Sequence, residues 1–153
     1  MNLIRTPNIL LKTALLLVSS AFSSISFAHS AGAILGAVGN NAHATAFAAI
    51  TCFDDGNGSP AGLFAEIRGG VEPEDGGLIS MQLHKGRQVT STTDTVLGDA
   101  DFSEAVQLNA GPGVYNMFVN KTDEDSIQFE VTWHCMTKDQ VHTGTDITIR
   151  QFQ

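Results

Sequence analysis

Polar and apolar residues alternate with a period of two through most of the chain from residue 44 onward, which is the spacing of half-buried β-strands. The clearest run spans 127–135. Ile127, Phe129, Val131, Trp133 and Cys135 share one face, and Gln128, Glu130, Thr132 and His134 share the other. A helix would scatter those five apolar positions around its axis. The same alternation predicts strands over 44–53, 61–68, 78–85, 114–120 and 147–152. A shorter strand is predicted over 105–108, and a Thr-rich edge strand over 89–96. The inward rows are Ala46, Ala48, Ile50 and Cys52, then Leu63, Ala65 and Ile67, then Ile79, Met81 and Leu83, then Tyr115, Met117 and Val119.

Turn chemistry separates these runs, including Asp54-Asp55-Gly56-Asn57-Gly58, Gly69-Gly70, Gly76-Gly77, Gly111-Pro112-Gly113 and Asp123-Glu124-Asp125-Ser126. Seven or eight short antiparallel strands without a helical segment predict an all-β sandwich over 44–153. Residues 29–43 are rich in Gly and Ala. Glycines there would each cost a helix about 1 kcal/mol, so the stretch reads as a loosely ordered, extended lead-in.

The first 28 residues break the pattern. Arg5 and Lys12 precede an apolar run that begins at Ala14 and reaches Phe27, diluted by serines, and Ser26-Phe27-Ala28 places small residues before a cleavage point. This order of zones is that of a signal peptide at 1–28, and the run is too short and Ser-rich to span a bilayer. The expected location is the periplasm or the extracellular medium. Cleavage after Ser30 also has small residues at the required positions.

Removal of 1–28 takes away two of the eight Lys and Arg residues and none of the sixteen Asp and Glu, leaving a formal charge of −10. Such a surface repels nucleic acid and anionic lipid, and suits metal cations, neutral glycans or basic proteins. It also keeps an exported protein soluble. The two cysteines, Cys52 and Cys135, both lie on inward faces. In an exported chain they predict one disulfide, with Trp133 on the same face two residues from Cys135.

The order of features over 44–135 resembles the bacterial pre-peptidase C-terminal domain, a small β-sandwich often appended to secreted proteases. The parallels are the strands at 46–52 and 63–69, then 78–86 followed by the Thr-rich segment. They continue with 104–108, the turn Gly111-Pro112-Gly113 leading into Val114-Tyr115, and the strand at 127–135. The sequence departs from that pattern where such domains carry an Asp-Leu pair, reading Leu78-Ile79-Ser80 instead, and the domain is expected to stand without a preceding catalytic domain. The resemblance implies a sandwich with accessory or binding work and transfers no catalytic residue.

Three groups of residues could carry chemistry. His29 becomes the N-terminus if cleavage follows Ala28, and its amine and Nδ1 can chelate Cu²⁺, a borderline ion that favours nitrogen ligands. A second imidazole would come from His84 or His134, on outward strand faces, with His43 and His142 also present. Asp54, Asp55 and Asn57 offer oxygen ligands of the kind calcium takes, although neither they nor Asp99 and Asp101 follow a calcium-loop pattern. Asx-type turns account for the same residues. Phe47 and Phe118 fall on faces opposite the core rows and would form an apolar patch for a partner if they met.

No Gly-x-Ser-x-Gly, His-Glu-x-x-His or phosphate-cradling loop occurs. The expectation is a non-catalytic binding or structural accessory protein. A copper-binding protein is the alternative, and a small secreted hydrolase is the remaining catalytic one.

Overall fold

The computed structural model describes residues 29–37, 41–70 and 77–153. The proposed signal peptide lies outside them. The described chain is all-β, with nine antiparallel strands: β1 His29–Leu35, β2 Thr45–Phe53, β3 Gly62–Gly69, β4 Ile79–Lys85, β5 Gln88–Asp94, β6 Val106–Leu108, β7 Gly113–Lys121, β8 Ile127–Met136 and β9 His142–Phe152. One sheet runs β1-β8-β3-β6 and the other β5-β4-β7-β2-β9. The inward rows read from the sequence meet between them. Ile50, Leu63, Ile67, Met81, Leu83, Tyr115 and Ile127 are fully buried there. Each such side chain contributes about 1.5–3 kcal/mol by leaving water.

β9 belongs to both sheets. It starts beside β8, with His142 opposite Met136 and Thr143 opposite Cys135, then crosses to pair with β2 from Gly144 to Phe152. The two sheets thereby become one nearly closed ladder. The Cys52–Cys135 disulfide forms at this crossing, with Cα atoms 5.4 Å apart. Thr143 faces one of its cysteines across the ladder and Thr145 the other. Between them Gly144 lies under the Phe53 ring, where an added Cβ would come within 2.5 Å of a ring carbon. The buried Thr143 hydroxyl bonds the carbonyls of Phe53 and Gly58, fastening the β2–β3 turn to the same point.

Two expectations change. The lead-in is a paired strand over its first seven residues, with β1 aligned along β8 from His29↔Trp133 to Leu35↔Ile127. The last strand begins at His142 instead of residue 147, because its polar first residues are recruited by pairing with the end of β8. The Thr-rich segment is the edge of its sheet, as its composition predicts.

Two buried charges hold the ends of the fold. Lys121, 4% exposed, donates to the carbonyls of Asp123, Glu124 and Asp125, so the acidic β7–β8 tip is gathered from beneath. Asp94 accepts from the amides of Gly69 and Val96, tying β5 to β3.

The disulfide closes a segment with a sequence separation of 83, for which the chain-entropy model gives about 4.5 kcal/mol. Replacing both cysteines with alanine should lower the urea-unfolding free energy by that order. An unchanged midpoint would show that the crossing needs no covalent tie.

Candidate functional site

The route of β9 leaves a seam in the sandwich. After Thr143 the strand swings away from β8, and β1 takes the vacated place beside β8. The two strands approach again only at the far end, where the Gly36 amide donates to the Gln153 carbonyl at 3.1 Å. Between them lies a slot of about 320 Å³.

Phe129, Val131 and Trp133 of β8 line one side, and Ala48, Met117 and Ile147 the other. The inward residues of β1 are Ala31 and Ala33, with Leu35 after them. The two alanines are too small to fill the space. A bulge between Phe47 and Ala48 sets Ile149 opposite Ala48 and Phe152 opposite Ala46. Ile149 and Phe152 line the slot while remaining substantially exposed, so they form its lip. Gln151 also lines the slot, and the indole of Trp133 carries a buried Nε1 without a hydrogen-bond partner.

At the other end of the seam is a histidine cluster on the outer face of the first sheet. His134 projects from β8 opposite the core row and stacks on His142 of β9, with ring centroids 4.2 Å apart. Phe64 of β3 stacks on the far side of His134 at 5.9 Å. His29 starts β1 opposite Trp133 and so lies on the other, inward side of the ladder, with its ring 6.2 Å from the indole. Burial pushes the His134 imidazole down to about 4, helped by the nearby His142 and His29. His142 is also lowered, by burial first and then by His29. His134 Nδ1 is buried and without a hydrogen-bond partner.

The other sequence candidates lie elsewhere. His84 projects from the outer face of the second sheet, opposite Asn116 and Val89, so the sandwich separates it from His29 and His134. His43 sits in the β1–β2 connection, whose Asn41 bonds Glu124 at the opposite end of the sandwich from His134. Asp54 caps its own turn by accepting from Gly56 and Gly58, and Asp55 does so from Asn57 and Thr143. Those carboxylates serve Asx turns, and Asp99 does the same for Asp101.

Phe47 and Phe118 meet across β2–β7 as a stacked pair with centroids 4.7 Å apart. They face Gln151 and Gln82 in the neighbouring strands, and both rings are half-buried.

Among the described residues no helix is long and apolar enough to cross a membrane. No family model, curated protein or solved structure matches the chain.

The slot had one trace in the sequence, the small residues at 31–33, but their meaning depends on a pairing with β8 that no local pattern announces.

A histidine with a lowered folded-state value favours its neutral form in the native protein. His134 therefore supports stability fully above its ordinary value of 6.5, and that support is lost as pH falls toward about 4. Urea-unfolding free energies measured across this window should fall steadily in the native sequence and less steeply in His134→Gln, in which His142 still contributes. Equal slopes in the two proteins would refute the assignment.

Proposed function

We propose that this is an exported, non-catalytic binding protein whose ligand is a small, mostly apolar molecule seated in the slot between β1 and β9. The observation that carries the reading is the slot itself, apolar along its walls and of a volume within the range of small-molecule sites. Its ends are closed, by the β8–β9 pairing at Cys135 and by the Gly36–Gln153 hydrogen bond. A bounded slot suits a compact molecule better than a polypeptide strand, which needs an open run of edge.

The unpartnered Trp133 N–H favours a ligand with one acceptor, because an unsatisfied buried donor costs about 1–3 kcal/mol. The disulfide is compatible with an exported protein. Together with the signal-like N-terminus it supports work outside the cytoplasm.

Trp133 is the only tryptophan in the chain and lines the slot, so its fluorescence reports occupancy directly. Titration with octanol should give a saturable change in that emission. Ala46→Phe, which fills the slot from the β2 side, should weaken the response at least about tenfold, equivalent to 1.4 kcal/mol. If octanol and larger apolar alcohols all leave the emission of the folded protein unchanged, the reading fails.

A further inference from the structure

We propose that the outer face of the first sheet carries a separate site, a polar hollow beside the Arg68–Glu130 ion pair that binds a neutral saccharide through adjacent ring hydroxyls. The hollow lies across the sheet from the apolar slot and does not depend on it.

Register places the hollow. Gly32 of β1 and Arg68 of β3 both stand opposite Glu130 of β8, on the outward rows. One step along, the Gly70 amide donates to the Gln128 carbonyl at 2.7 Å. Gly32 and Gly70 bring no side chains to this face, and the turn holding Gly98 and Ala100 borders it, so a depression of about 390 Å³ remains. Its floor is largely backbone, and its polar side chains are Arg68, Glu130 and Gln128.

Arg68 is held in one pose. Its Nε and Nη2 donate to Glu130 Oε2 at 3.0 and 2.6 Å, and its Nη1 donates to the Ala100 carbonyl at 2.7 Å. The guanidinium lies 4.6 Å from the centre of the Phe102 ring. Ala100 has a φ of 69°, a left-handed conformation disfavoured for a residue with a Cβ. Strain of this kind persists where the surrounding structure fixes a functional group. A group already fixed has little freedom left to lose when a ligand binds.

The unused hydrogen-bonding capacity defines the ligand. A guanidinium has five N–H donors. Three are engaged here, which leaves two. Among the described residues nothing donates to Glu130 Oε1, and the Gln128 side-chain amide makes no hydrogen bond. Donors and acceptors therefore stand side by side, and hydroxyl groups match such a set because each both donates and accepts. The charge balance favours no ion. Glu130 offsets the guanidinium, and Asp99 and Asp101 belong to the adjoining turn, so an anion gains little. A cation meets the guanidinium, and among the described residues no three His, Cys, Asp or Glu side chains come together to hold a metal. A neutral ring with hydroxyls on neighbouring carbons fits both conditions, and the glycine floor lets it approach the backbone closely.

The test titrates isotopically labelled protein with glucose, galactose and mannose and follows amide correlation spectra. The expected result, for at least one of these sugars, is a saturable shift confined to the amides of Gly32, Gly70 and Gly98 and the Arg68 Nε–H. Gln128→Ala should weaken that binding about fivefold and Arg68→Lys at least about tenfold, while His84→Ala, on the other sheet, should leave it intact. The matching uronate should bind more weakly than the neutral sugar. If Arg68→Lys fails to fold, Gln128→Ala still decides, because that side chain is exposed and holds nothing in place among the described residues. No shift at those amides with any of the three sugars, indifference to Gln128→Ala, or tighter binding of the uronate would overturn the proposal. So would free alanine shifting the same amides in place of the sugars.

Discussion

The passage of β9 from one sheet to the other, pinned by Cys52–Cys135, is the constraint on which the rest of the structure depends. A strand shared by two sheets must leave its first partner, and whatever fills the gap meets it at an angle. Here β1 fills the gap, so the slot and the histidine cluster are both consequences of that departure. The crossing is over-determined. The disulfide, the Thr143 and Thr145 hydroxyls, and Gly144 under Phe53 all act within three residues of β9. Replacing Gly144 would push the Phe53 ring off the crossing, since an added Cβ would come within 2.5 Å of a ring carbon.

The slot is energetically conspicuous. A fully enclosed void of about 320 Å³ would cost about 8 kcal/mol at 24 cal/mol per Å³, comparable to the stability of a whole domain. An opening at Ile149 and Phe152 admits water and reduces that cost, but leaves two large apolar side chains exposed at the lip. Leucine or valine in place of Ala31 or Ala33 would reduce both penalties. Small residues at these inward positions are therefore a poor choice for stability alone, and suit a site that something else occupies.

How much of this was legible depended on whether the information was local. β8 declares itself because five large apolar side chains alternate without interruption, and its cysteine is inward for the same reason. β3, β4 and β7 follow the same rule. β1 does not, because a strand of Gly, Ala and Ser has almost no amplitude to alternate and is recruited by the free side of β8. The first residues of β9, His-Thr-Gly-Thr-Asp, carry no apolar signal and are held by backbone pairing, hydroxyls and the disulfide. In the histidine cluster the residue types were visible, but the choice among five imidazoles needed the register. Outward projection was equally true of His84 and His134, and only the assignment of β4 and β8 to different sheets separates them.

The proposed slot has β1 as one wall, and that has a thermodynamic consequence. β1 is an edge strand that buries only Leu35 completely, so it belongs to the part of the fold that opens at least cost. A molecule in the slot contacts β1 in its docked position. It binds the docked strand better than the released one, so it raises the docked population. The gain in docking is bounded by the free energy of releasing β1, and it vanishes if the strand is already fully docked without a ligand. Amide exchange along β1, compared with that along β8, gives this quantity directly.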